Sequence, residues 1–70
     1  MKQNNSNTFA DRLYNLRKQH HLTQTEVAER LNVSQVAIHN WERGKRKPDL
    51  TKFITLCKVF SVSSEYFLAE

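Results

Sequence analysis

The sequence predicts an all-α fold, a compact five-helix bundle. Three observations carry the prediction. Apolar residues recur at helical spacing over nearly the whole chain. Each such run is preceded by a serine, threonine or aspartate where a helix start needs a cap. Glycine and proline occur once each in 70 residues, too few for a many-turned β fold. A domain of this size buries only ~60% of its unfolded surface, which leaves little room for a deep catalytic cavity.

Residues 1–7, "MKQNNSN", are polar and aperiodic and read as a flexible arm; residues 8–70 form the domain. Thr8 is the N-cap of a first helix over 9–20, with Asp11 three residues on and Phe9, Leu13 and Leu16 on one face. "TQTE" sets Thr23 and Glu26 as a capping box for a second helix over 24–31, whose stripe is Val27, Ala28 and Leu31. Asn32 ends it, because asparagine tolerates the left-handed conformation a tight turn needs. Ser34 caps a third helix over 35–42, and Gly44 stops it. Two helices of eight residues are too short to be stable alone, so they must pack on their neighbours. Pro48 and Asp49 restart the chain for a fourth helix over 50–60, with Leu50, Phe53, Leu56, Cys57 and Phe60 at helical spacing. Ser63 caps a last helix over 64–68. The expected shared core is Leu13, Leu16, Val27, Leu31, Ile38, Trp41, Phe53, Leu56, Phe60 and Phe67. Tyr66 and Leu68 fit either that core or a contact patch.

The formal charge is +4 and the pI near 9.6. Residues 43–58 hold six cations (Arg43, Lys45, Arg46, Lys47, Lys52 and Lys58) against one acid, Asp49. Charge gathered in one stretch is a footprint for a polyanion rather than general solvation. Cys57 is alone, which excludes an internal disulfide and a cysteine zinc site, and fits a core position in a reducing cytoplasm. The chain contains no apolar run of the ~20 residues a membrane span needs. His20 and His21 have no acid or cysteine at metal-ligand spacing, so no metal is expected. No nucleophile, phosphate-cradling glycine loop or pair of carboxylates stands out, so neither enzyme activity nor a cofactor is expected.

The third helix is unusual. At ~100° per residue, Ile38, Trp41, Ala37 and Ser34 share the inward side, while Val36, His39, Asn40 and Arg43 face away, with Gln35 at the N-terminal edge. A solvated face usually carries Glu and Lys. This one carries amides and an imidazole, with no acid between Gln35 and Trp41. An amide donates and accepts at once, as an adenine edge in the major groove requires, and Val36 suits a thymine methyl. The same face could be only a poor helix-former surface, but the adjacent "RGKRK" and the capped helix before it bear on the same side.

The stretch "LRKQHHLTQTEVAERLNVSQVAIHNWERGKRKPDL", followed by "LCKVFSVSSEYFL", resembles the helix-turn-helix domains of the phage Cro/C1 repressor type (lambda repressor-like, XRE family). The similar region covers about residues 9–68. The Leu-Thr-Gln opening of the second helix, the Ile-x-x-Trp-Glu-x-Gly segment and the basic run before Pro48 carry it. The resemblance implies five helices, with the second and third forming the DNA-reading unit. It implies a phosphate contact at Gln24 and base contacts by Gln35, Val36 and Asn40, with Ser34 beside them. His39, on the same outward face, reads from the residues either as a groove or phosphate contact or as plain exposure. It implies backbone contacts by Lys45, Arg46 and Lys47, and an ion pair between Arg17 and Glu42; Arg43, the cation just before that loop on the outward face, is expected to join the phosphate contacts. It also implies two-fold dimers on near-palindromic operators. Asn32 departs from the family's usual turn glycine. With no dimerisation domain after residue 70, dimerisation is expected to be weak, DNA-assisted or built from the last helix.

The leading expectation is a sequence-specific double-stranded DNA-binding transcriptional regulator, a repressor of bacterial or phage origin acting in the cytoplasm. One alternative is an antitoxin-like or regulatory protein-interaction module that uses its last helix. Another is a general binder of nucleic acid or anionic membrane through the basic loop. The amides favour the first, since a general polyanion binder needs only cations.

Overall fold

The computed structural model describes residues 8–68. The proposed arm over 1–7 lies outside the described residues. Five helices follow one another: α1 (Phe9–Gln19), α2 (Gln24–Leu31), α3 (Gln35–Glu42), α4 (Leu50–Phe60) and α5 (Ser64–Leu68). The sequence places every boundary here except the end of α1, where His20 is the cap rather than the last helical residue.

Four starts are capped by the expected side chains. Thr8 Oγ1 accepts the Asp11 N–H at 3.1 Å, Ser34 Oγ that of Ala37 at 3.1 Å, and Asp49 Oδ1 that of Lys52 at 2.9 Å. At α2 the box is reciprocal. Thr23 Oγ1 accepts from the Glu26 N–H at 3.0 Å, and Glu26 Oε1 accepts from the Thr23 N–H at 2.8 Å. Each cap satisfies a main-chain donor that has no partner within its helix. At α5 the bond found is main-chain, from the Tyr66 N–H to the Ser63 carbonyl at 3.0 Å.

α2 packs on α3 and α4, and α1 on α3 and α5. Leu13, Val27, Ile38 and Leu56 are fully buried between them, joined by Leu16, Leu31, Trp41, Phe60 and Phe67. Ala28 and Cys57 complete the apolar core, and Arg17 is a charged residue within it. Burial pushes the Cys57 thiol pKa up, so it stays protonated. Two expectations shift. Phe53 is half-buried rather than central; its ring lies 6.2 Å from Phe9 and 5.6 Å from Phe67, at the rim of an aromatic cluster. Leu50 keeps the helical spacing but is 73% exposed, because it lines an open hollow with Phe9, Phe53 and Leu68 that no other described element covers. Tyr66 packs edge-on against Phe67, whereas Leu68 is exposed. Arg12, which the apolar pattern does not single out, ties α1 to α5 through a 2.8 Å bond from Nη1 to the Tyr66 carbonyl.

Asn32 turns the chain from α2 to α3 in the left-handed region, with φ 60° and ψ 44°. The Val33 N–H then returns to the Ala28 carbonyl at 3.0 Å. An asparagine at the usual glycine position therefore leaves the α2–α3 connection intact.

Candidate nucleic-acid interface

Ile38 and Trp41 are buried at 0% and 6% exposure, which fixes the rotation of α3 about its axis. Gln35, Val36 and His39 are consequently exposed, and Asn40 is half-buried at the edge of the same surface. Ser34 is exposed at the helix start, although its hydroxyl is occupied as the cap. Ser34, Val36, Asn40 and Arg46 line one shallow hollow.

The basic turn is anchored to this helix by its backbone. The Asn40 carbonyl accepts the Lys45 N–H at 3.0 Å and the Arg46 N–H at 3.4 Å. Gly44, with φ 77°, makes the reversal possible. Arg43, Lys45, Arg46 and Lys47 all project from it into solvent. The outward side of α3 and the cationic loop thus form one continuous surface.

Behind that surface runs a line of polar side chains. Arg17 Nε donates to Glu42 Oε2 at 2.5 Å and Nη2 donates to Oε1 at 3.0 Å. The two side chains are 8% and 5% exposed, so the expected ion pair exists and is buried. Arg17 Nη1 also donates to the Leu22 carbonyl at 2.8 Å. The Glu42 hydrogen bond holds the Arg17 pKa above its usual value and outweighs the opposing effect of burial. A buried pair of this kind stabilises little on balance, but losing one partner strands the other charge.

The line continues outward. Gln24 Nε2 donates to Glu42 Oε1 at 3.0 Å, and Gln35 Nε2 donates to Gln24 Oε1 at 2.5 Å. The carboxylate sets the direction. It only accepts, so the Gln24 amide must turn its nitrogen inward and its oxygen towards Gln35. Gln35 then gives one N–H to Gln24 and keeps its second N–H and its oxygen. Those two groups match the acceptor and donor of an adenine edge. The sequence places Gln24 and Gln35 in the interface separately; their bond to each other is visible only in three dimensions.

No group of three or more histidine, cysteine, aspartate or glutamate side chains suited to a metal occurs among the described residues. No described helix is long and apolar enough to cross a membrane.

Known proteins are similar to this chain in sequence and fold. The helix-turn-helix family (HTH_3) matches residues 13–67. The HTH-type transcriptional activator BcrR of Enterococcus faecalis is 39% identical over 61 residues, covering 87% of this chain and 30% of BcrR. The HTH-type transcriptional regulator ImmR of Bacillus subtilis is 36% identical over 63 residues, covering 90% of this chain and 50% of ImmR. The chain thus spans half or less of the length of these two relatives. Among solved structures, the P22 c2 repressor in complex with a synthetic operator superposes with a TM-score of 0.84 at 29% identity, covering 89% of this chain and 94% of that one. With the α2–turn–α3 unit in place and the family match running from Leu13 in α1 to Phe67 in α5, the chain belongs to the helix-turn-helix family.

Proposed function

We propose that this protein is a sequence-specific binder of double-stranded DNA that regulates transcription, acting as a repressor by occupying an operator. α3 enters the major groove and presents Gln35, Val36 and Asn40 to base edges, with Ser34 and His39 beside them. Gln24, Arg43, Lys45, Arg46 and Lys47 hold the phosphate backbone on either side. The single observation that carries the reading is the Gln35 amide, held by Gln24 with a donor and an acceptor still free on an acid-free face. Lysine and arginine alone would give affinity without selectivity. The P22 c2 repressor, similar over nearly its whole length, was solved on a synthetic operator, which supports the same use of this fold.

The protein acts as a homodimer on a near-palindromic site in the cytoplasm. An apolar hollow lined by Phe9, Pro48, Leu50, Phe53 and Leu68 adjoins the basic loop, and Lys47 lines it too. Leu50 and Leu68 are 73% and 65% exposed there. Two copies meeting through this face cover apolar surface at a modest gain and bring like charges together, so DNA phosphates favour the pairing.

The test is a shift assay with a duplex selected from a random pool against an unselected duplex, at about 0.05 and 0.2 M salt. Preference for the selected duplex by tenfold or more at the higher salt is expected. Equal affinity for both would make the protein a general polyanion binder. No binding to either would point to a protein partner instead.

A further inference from the structure

The three histidines lie in different surroundings. The His20 ring packs edge-on against Phe60 with centroids 5.0 Å apart. His39 lies on the outward side of α3. His21 has an exposed side chain that lines a hollow of about 560 Å³ together with Lys18, Gln24, Thr25 and Gln35. That hollow opens directly beside the two bonded glutamines.

No acidic side chain lines it. Its charged and titratable groups are Arg17, Lys18 and His21 of α1 and the turn after it. Arg17 is already matched by Glu42. Lys18 Nζ lies 5.9 Å from the Tyr14 ring, and the side chain is exposed. The residues from α2 and α3, namely Gln24, Thr25 and Gln35, are neutral. The nearby Glu26 carboxylate is bonded back to the Thr23 N–H. A concave surface with no acid in its lining, and with Lys18 and His21 beside Gln35 at the start of α3, adds to the footprint of the basic loop that follows the end of α3.

His21 also sits at φ 57°, a left-handed position that costs any residue with a Cβ. The chain uses glycine at the corresponding turn after α3, so a histidine here keeps its side chain at some expense in strain.

We propose that Lys18 and His21 carry the DNA contact at least one phosphate further than Gln24, and that protonation of His21 tunes operator affinity with pH. The proposal rests on α3 being the DNA-reading helix. Imidazole is the side chain whose charge changes most readily between mildly acidic and neutral solution, and an adjacent phosphate favours its charged form. A protonated His21 would pair with a phosphate as a second cation beside Lys18, whereas the neutral ring offers only a hydrogen bond.

The experiment measures operator affinity against salt at about pH 5.5 and 7.5 for the parent, His21→Gly, Lys18→Gln and His39→Gln. Two results are expected of the parent at the lower pH: several-fold tighter binding, and a salt slope of log K steeper by ~0.9. His21→Gly should lose both effects while its Tm rises, because glycine suits the turn. His39→Gln lies on the reading face and changes affinity on its own account, but the difference between its two pH values should stay the parent's. Lys18→Gln should flatten the slope by ~0.9 at both pH values. If His21→Gly keeps the parent's pH response and slopes, or if the response disappears with His39→Gln, the proposal is wrong and the reading of α3 stands. A parent that does not discriminate its selected duplex at pH ~7.5 would overturn the reading of α3 and this proposal together.

Discussion

α1, α2, α3 and α4 end in the same backbone turn but put it to two different uses. A residue with positive φ closes each helix: His21, Asn32, Gly44 and Ser61. The N–H that follows it returns to a carbonyl one turn back. Leu22 bonds to Arg17 at 3.2 Å, Val33 to Ala28 at 3.0 Å, Lys45 to Asn40 at 3.0 Å and Val62 to Cys57 at 3.0 Å. After α1, α2 and α4, that next residue is Leu22, Val33 or Val62, each packed against the core. After α3 it is the exposed Lys45. The turn is a general way to satisfy the last carbonyls of a helix, and the side chain after it decides what the turn is for. Three ends fold back to close the core, while the end of α3 opens into the cationic loop.

Removing what holds α3 in place should have the largest effect. Trp41→Ala should cost ~3–5 kcal/mol, enough to unfold a domain of this size. Glu42→Gln should cost a similar ~3–5 kcal/mol, because it leaves the Arg17 charge buried and poorly matched. Chemical denaturation measures both, and a near-neutral Glu42→Gln would mean the pair is not buried in solution.

A smaller effect separates the two kinds of end. Val62→Ala removes half-buried methyl groups and should cost about 1 kcal/mol. Lys45→Ala should leave stability within about 0.5 kcal/mol, yet lower the salt slope of DNA binding by about one. Equal stability losses for the two would erase the distinction drawn here.

The turn residues themselves should respond in opposite directions. Ser61→Gly relieves a left-handed serine and should stabilise by ~0.5–1 kcal/mol. Gly44→Ala should destabilise by ~1 kcal/mol through backbone strain alone, since the added Cβ meets nothing nearer than Ala10 Cβ at 4.0 Å. Thermal melts of both variants check the signs.

The smallest effect lies at the start of α2. Hydrogen bonds from the Thr23 backbone and side chain lower the Glu26 pKa. A carboxyl lowered on folding adds stability above its unfolded pKa, and that stability is lost as pH falls through the folded value. Between about pH 5 and 2.5 the parent should therefore lose slightly more Tm than Glu26→Gln does. Parallel curves would mean the box contributes no charge-dependent stability.

The sequence foretold the elements well, because their signals are local. Thr8, Thr23, Ser34 and Asp49 mark starts that the structure caps with those same side chains. The apolar spacing identified Ile38 and Trp41 as anchors, and with them the outward side of α3. Periodicity says which face a residue takes, not whether a partner covers it, so Phe53 came out half-buried and Leu50 exposed. The left-handed turns at His21 and Ser61 carried no glycine or asparagine to announce them. The chain of bonds from Arg17 through Glu42 and Gln24 to Gln35 joins three helices. Only the Arg17–Glu42 link was anticipated, from the family resemblance. The bond between Gln24 and Gln35 depends on how α2 and α3 meet across the turn, which no pattern along the chain encodes.

The proposed function stands or falls on whether α3 reads bases through the Gln35 amide that Gln24 and Glu42 hold in place. A base-by-base affinity profile of Gln35→Ala beside the parent, taken across every position of the selected operator, tests it most directly. The expected result is a loss of ~1–3 kcal/mol concentrated at one base pair in each half-site, with preference relaxed there and unchanged elsewhere. A uniform loss across all positions, or no loss at any, would contradict it and leave α3 as scaffold.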